Sequence, residues 1–269
     1  MDKKRQSLLM KPTPMDSCPS SRDQNRKAFW LWHPDHEALR DCHAIPWGWR
    51  HITYCNPLRW LLFNFLALLF KLDVEGSENI PKKSPSVFVG NHGSNYDGIF
   101  MLAVNMSLDS RTVVPVVWYR MLDFPILGLF LKSLQAVPVD NEQLEISQRV
   151  RSLRLMLRHL RQGRSLGVLP EAVRQEQLGH FNSGAALVAL QAEVPLVPFT
   201  LRGVQPLFKS LNHCPKLYGK VKVIIHPPLF PSDAEGLKGE KGAALLMKKA
   251  RARIASALDY PDSLSPALD

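Results

Sequence analysis

His92 and Asp97 stand with four residues between them in Asn91-His-Gly-Ser-Asn-Tyr-Asp-Gly98, just after the apolar run Val87-Phe-Val89. An imidazole beside a carboxylate is a proton-transfer couple. The carboxylate holds one ring nitrogen and fixes the tautomer, and the other nitrogen takes a proton from a substrate hydroxyl. A plainer reading exists. Ser94 and Asp97 have the spacing of a capping box, with Asp where Glu or Gln is usual, so they can simply start a helix. That reading leaves His92 unexplained. A helix with Asp97 in its first turn, and a histidine two residues before the cap, can bring the two groups together. Alone, the pair is a weak signal, because His and Asp often fall at this spacing by chance.

The elements around the pair place it. Strands are expected at Ser86–Val89, Thr112–Trp118, Ala136–Val139, Ser165–Leu169, Leu196–Leu201 and Val221–His226. Several are unbroken runs of β-formers, as in strands buried on both faces. Helical stretches lie between them near 97–107, 142–162 and 183–192, with another near 240–257. Strands spaced by helices imply an α/β fold with a mixed, largely parallel sheet flanked by helices. His92 then follows a strand end, where open α/β sheets keep their ligand sites.

In the helix over 142–162, Ile146, Val150, Leu153, Leu157 and Leu160 are spaced as a buried stripe. Arg151, Arg154, Arg158 and Arg161 form a second stripe, with Arg149 and Arg164 beside it. This basic face is either solvated or suited to anionic lipid or an acidic carrier protein.

The chain has 269 residues, 45% of them hydrophobic, with a formal net charge of +10. This is enough apolar material for one catalytic domain with a real core. The basic excess points to an anionic partner. Nucleic acid is not expected, since no recognition helix, RNA-binding signature or finger is visible. Cys18, Cys42, Cys55 and Cys214 are scattered without a C-x-x-C pair, which fits a reducing compartment and neither a disulfide framework nor a zinc site. His33, His36 and His43 lack metal-ligand spacing, so no metal is expected.

Residues 1–45 are polar and proline-bearing and read as a poorly ordered tail. No signal peptide is visible in the opening residues. Residues 46–71 carry Trp47-Gly-Trp-Arg50 and then the apolar run Trp60–Phe70, interrupted by Asn64 and bracketed by Arg59 and Lys71. The run is about half the roughly 20 residues of a spanning helix. It reads as an amphipathic, membrane-associating helix, against the alternative of a buried core helix. The catalytic α/β domain is expected over 72–232, and a C-terminal helix and tail over 233–269. The expected partner is a membrane lipid surface, met from the cytoplasmic face as a peripheral or monotopic protein.

Gly163-Arg-Ser-Leu-Gly167 is a formal G-x-S-x-G, which invites a hydrolase with Ser165 as nucleophile. That motif needs a strand, a sharp turn and then a helix. Here a helix precedes and a strand follows, and Gly163 is better read as a helix C-cap.

Read in order, Asn91-His-x-Ser-x-x-Asp97, Leu169-Pro-Glu-Ala-Val-Arg174 and Val194-Pro-Leu-Val-Pro198 resemble the glycerolipid acyltransferase family. Its familiar members are lysophosphatidate acyltransferases. The resemblance covers about residues 72–230. It implies that His92 and Asp97 are catalytic, and that Glu171 and Arg174, in a block of the form FPEGTR, help bind the acceptor. Ser94 falls within the first motif. Phe124-Pro-Ile-Leu-Gly128 resembles the stretch before the family's second motif. Asn141 stands where the arginine ending that motif is usual, and Asn182 stands where a lysine is usual.

Arg and Lys are natural phosphate ligands, so the changes at Asn141 and Asn182 bear on the acceptor. Either the acceptor lacks a phosphomonoester, as a glycolipid or other lipid alcohol would, or cations such as Lys132 or Arg120 take over its binding. The resemblance implies an O-acyltransferase that uses acyl-CoA or acyl-carrier protein as co-substrate and no further cofactor. The lipid hydroxyl would belong to a lysophosphatidate-type or related lysolipid, with His92 as general base. The rival is a catalytically silent basic membrane-binding protein. The sequence does not give the oligomeric state.

Overall fold

The computed structural model describes residues 64–65, 68–94, 97–98, 100–101, 113–139, 146–171, 177–204 and 218–258. Seven strands form one sheet: β1 (Asp73–Glu75), β2 (Val87–Gly90), β3 (Val113–Trp118), β4 (Val137–Val139), β5 (Ser165–Val168), β6 (Leu196–Arg202) and β7 (Lys222–Ile225). Their spatial order is β1-β7-β6-β2-β5-β3-β4. The run β6-β2-β5-β3-β4 is parallel throughout. β7 pairs antiparallel with β6, and edge strand β1 parallel with β7, so these two strands run the other way. The sheet is mixed and largely parallel, as the alternation of strands and helices predicts.

Central β2 is buried at every position, and β6 at all but its last. This explains why both read as apolar runs without alternation. The pleat still sorts their side chains. Val87 and Val89 join one core cluster, and Phe88 joins the other. On the first face lie α2 (Ile146–Arg161), α3 (Gly184–Gln191) and α4 (Gly239–Ala255). On the second lie the helical residues Phe70, Phe100 and Met101. Phe70 meets Phe100 edge-on, with ring centroids 5.2 Å apart.

The six expected strands are all present, and the expected helices near 142–162, 183–192 and 240–257 correspond to α2, α3 and α4. Of the expected helix over 97–107, the described residues Asp97, Gly98, Phe100 and Met101 are helical. One strand and one α-helix among the described residues escape the sequence reading. β1 is a three-residue edge strand with two exposed charged residues. α1 (Pro125–Ser133) is apolar nearly all round, so no period marks it, although Pro125 at its first turn is a start signal.

The buried stripe of α2 needs correction. Val150 is exposed, Leu153 and Leu157 are half-buried, and the inward residues are Ser152, Leu155, Met156, His159 and Leu160. Two polar side chains occupy the inner face, so counting apolar residues turned the helix by about one position. Ser152 satisfies itself there by donating to the Pro138 carbonyl at 2.8 Å. Arg154, Arg158 and Arg161 of the basic stripe are exposed, whereas Arg151 is half-buried.

Residues 46–63 of the expected membrane-associating helix lie outside the described residues, as do residues 1–45 with their histidines. At its end, residues 64–65 and 68–70 are helical, with Phe65 and Leu68 exposed and Phe70 buried. Among the described residues no helix is long and apolar enough to cross a membrane.

Candidate active site

Parallel β2 and β5 end side by side while β6 runs on to Arg202, and the residues just past the ends of β2 and β5 build the site. β2 finishes at Gly90. A Cβ on Gly90 would lie 2.4 Å from the Phe199 ring, so only glycine lets the strand end sit this close to β6. Asn91 leaves the strand but keeps its side chain in the ladder. Its Nδ2 donates to the Leu201 carbonyl at 3.0 Å, and its Oδ1 accepts from the Leu201 N–H at 2.8 Å. The side-chain amide imitates a strand backbone and pins the residue before His92.

His92 Nδ1 lies 2.8 Å from Asp97 Oδ2. The same oxygen accepts the Ser94 N–H at 2.8 Å, the backbone half of a capping box. Both readings of the spacing therefore hold at once: the carboxylate that caps the helix also holds the histidine. An ionised carboxylate only accepts, so Nδ1 carries the proton and Nε2 is the basic nitrogen. The His92 side chain is 22% exposed and Asp97 fully buried, which leaves the imidazole as the member that a substrate can reach.

Burial pushes the Asp97 carboxyl above its ordinary value, against the opposing pull of His92 and of the Ser94 and Gly93 amides. Its second oxygen, Oδ1, has no hydrogen-bond partner among the described residues. Glu171 follows β5 and is also buried. Its Oε1 accepts the His92 N–H at 2.7 Å, and its Oε2 accepts the Gly179 N–H at 2.8 Å. Burial raises the Glu171 carboxyl as well, the two amides and the His92 charge lower it, and Asp97 adds to the rise.

The other expected site residues divide. Ser94 is buried beside the pair. The Asn182 side chain is exposed, with its amide donating to the Pro170 carbonyl at 3.0 Å. Asn141 and Arg174 lie outside the described residues. The Arg120 guanidinium lies over the Trp118 ring, 5.0 Å from its centroid. Lys132 is half-buried, and that burial lowers its ammonium's value while Asp123 opposes the change. Ser165 opens β5, at the opposite end of the sheet from His92, and its Oγ accepts the Ser86 N–H. Gly163 has φ 77° and ends α2, with the Arg164 N–H returning to the His159 carbonyl, as a C-cap requires. The sequence reading gave no separate task to Asn91 and missed Gly179. A backbone amide carries no residue-type signal.

Residues 71–202 match the acyltransferase family. This segment is an acyltransferase-family domain. The family segment runs from the start of β1 to the end of β6 and contains the His92–Asp97 pair and Glu171. The chain is 29% identical over 226 residues to the chloroplastic 1-acyl-sn-glycerol-3-phosphate acyltransferase LPAT1 of Arabidopsis thaliana, covering 79% of this chain and 58% of that protein. It is 26% identical to the 1-acyl-sn-glycerol-3-phosphate acyltransferase of Bacillus subtilis, covering 70% of this chain and 89% of that one. The chain spans little more than half the length of the chloroplastic relatives it matches. Its fold is similar to the crystal structure of the 1-acyl-sn-glycerophosphate acyltransferase PlsC from Thermotoga maritima. That match has a TM-score of 0.60 at 20% identity and covers 87% of this chain and 95% of the other.

Proposed function

We propose that this protein is an O-acyltransferase that moves a fatty acyl group from a thioester, acyl-CoA or acyl-carrier protein, to the hydroxyl of a lysophosphatidate-type lysolipid. The observation that carries this reading is the 2.8 Å contact between His92 Nδ1 and Asp97 Oδ2 at the carboxyl end of β2. His92 Nε2 removes the hydroxyl proton as the oxygen attacks the thioester carbonyl. Asp97 holds the ring and supports the imidazolium that forms. When the carbon–sulfur bond breaks, the imidazolium returns the proton to the departing thiolate. The thioester brings its own leaving group, so the enzyme needs no nucleophile. The named relatives support the acyl transfer and the lysolipid class.

The acceptor is drawn from a membrane surface that the protein meets peripherally, from the cytoplasmic side. Support comes from where apolar side chains are exposed. Asp73 of β1 and Arg202 of β6 are both in register with Lys222, so the helical residues 64–65 and 68–70 lead to the edge where β6 ends. Phe65 and Leu68 are exposed on that helix, and Phe124 and Leu127 are exposed just beyond the carboxyl end of β3. These side chains, in a chain of net charge +10, suit an anionic lipid surface. A second reading, a lipid alcohol without a phosphomonoester, is favoured by Asn182, whose amide serves the Pro170 carbonyl where a cation would serve phosphate.

Thiol release from acyl-CoA tests the proposal, with lysophosphatidate, other lysolipids and glycolipid alcohols offered in turn to the parent and to His92→Ala. Release that depends on lysophosphatidate and disappears in the variant supports the reading. Release only with an uncharged lipid alcohol selects the second reading. Equal release by both proteins removes His92 from the chemistry.

A further inference from the structure

Helix α4 lies beyond the family segment, yet one of its side chains reaches the loop that holds the histidine. Arg251 Nη2 donates to the Leu178 carbonyl at 2.9 Å, and its Nε donates to the Gly179 carbonyl at 2.8 Å. The Leu178 carbonyl and the Gly179 N–H belong to the same peptide group. That N–H donates to Glu171 Oε2 at 2.8 Å, and Glu171 Oε1 accepts the His92 N–H at 2.7 Å. We propose that Arg251 is a positioning residue for His92, acting through the Leu178–Gly179 peptide and Glu171.

The order of the contacts supplies the reason. A guanidinium on a carbonyl oxygen polarises the peptide and strengthens the N–H at its other end. That stronger donor faces a buried carboxylate, which needs donors to stay ionised away from water. Glu171 in turn fixes the backbone amide of the residue that carries the imidazole. Asn91 clamps the chain one residue earlier, on the β6 side. His92 is thus held from both neighbouring strands, and on the β5 side the hold ends in a charge anchored on α4. An arginine that only fastened α4 to the loop would contribute stability without changing the geometry of the dyad.

The inference rests on the proposed role of His92 for its kinetic readout but not for its spectroscopic one. The test uses the full chain with nitrogen-15-labelled histidine, in the parent and in Arg251→Met. The His92 signals are assigned by their loss in His92→Gln. In Arg251→Met the His92 Nδ1–H signal shifts or broadens with no substrate present, and kcat falls by about 10–100-fold while KM holds. Arg251→Lys restores part of the loss. In a Glu171→Gln background, Arg251→Met adds no further loss, because the two residues act in series. Unchanged His92 signals with only a lower melting temperature overturn the inference, and so do additive losses in the double variant. If Arg251→Met does not fold, Arg251→Lys takes its place, with the same directions of change at smaller size, since it keeps the charge and stem but lacks the two-pronged fork. If acyl transfer is absent altogether, the proposed function fails and the His92 signals alone decide this inference.

Discussion

Asp97 holds His92 with the same oxygen that caps its own helix, Oδ2, at 2.8 Å from both His92 Nδ1 and the Ser94 amide. The carboxylate is fully buried, and burial raises it above its ordinary value of 3.8. A carboxyl raised in the folded state contributes stability that is present below the unfolded value and is lost as pH rises through the folded value. The ionised form is therefore a cost to folding that the dyad requires. Asp97→Asn removes that charge and keeps the shape. Its melting temperature should exceed the parent's at pH 7, with the gap closing as the pH is lowered through the parent carboxyl's titration. Activity should fall by about 10⁴-fold, since the amide no longer supports the imidazolium. A variant that is both inactive and less stable at pH 7 would show that the hydrogen bonds outweigh the buried charge.

Glu171 separates two accounts of its block. A residue that binds the acceptor should raise KM when changed. Both Glu171 oxygens instead accept backbone amides. Glu171→Gln replaces one acceptor with a donor that faces another donor. The buried amide left without a partner costs about 1–3 kcal/mol. Steady-state kinetics should show the loss mainly in kcat, with KM for the acceptor little changed. A KM effect alone would return Glu171 to the substrate.

Two histidines outside the site should make the fold sensitive to acid. Burial, with Arg164 and Arg158 nearby, lowers His159 to about 4. Burial and Arg253 lower His226 to about 4, where its Nε2 meets Thr200 Oγ1 at 2.7 Å. A histidine depressed in the folded state contributes stability above its unfolded value of 6.5 and loses it as pH falls toward 4. The full loss is on the order of 3 kcal/mol for His159 and less for the more exposed His226. Unfolding free energy measured from pH 7 to 4 should fall with proton uptake. His159→Gln should flatten that slope, and an unchanged slope would place the acid sensitivity in other groups.

The parts of this molecule that were legible in its sequence are those where burial dictates residue type. β2 and β6 are apolar because both their faces are covered. The dyad was legible because His92 had no reason to stand before a helix cap. The inner face of α2 was misread because Ser152 and His159 are polar yet buried, and Ser152 makes its bond to the Pro138 carbonyl, which no periodicity reveals. The support of His92 runs largely through backbone groups of Leu201, Gly179 and Leu178. Such groups are the same in every residue, so Arg251 and Asn91 gave no sign of their partners. Ser165 illustrates the converse, a motif matched in letters but set at the wrong end of β5. Ser165→Ala should keep full activity, and loss of turnover without loss of fold would reopen the hydrolase reading.

Gly90 makes the last test of how the strand end positions the dyad. Its added Cβ would meet Phe199 Cε2 and Cζ at 2.4 Å and Cδ2 at 2.9 Å. Phe199 is fully buried in the second core cluster and has little room to turn aside. Gly90→Ala should therefore cost about 1–3 kcal/mol in chemical denaturation, as overpacking does. The strain falls two residues before His92, so it should also displace the imidazole and lower kcat. Trimming the obstacle separates these effects: Phe199→Leu in the Gly90→Ala background should recover kcat while leaving some of the lost stability unrestored, because a smaller side chain now fills the core. If Gly90→Ala alone is as stable and as active as the parent, β6 yields to the added methyl and the tight approach at Gly90 does not set the position of His92.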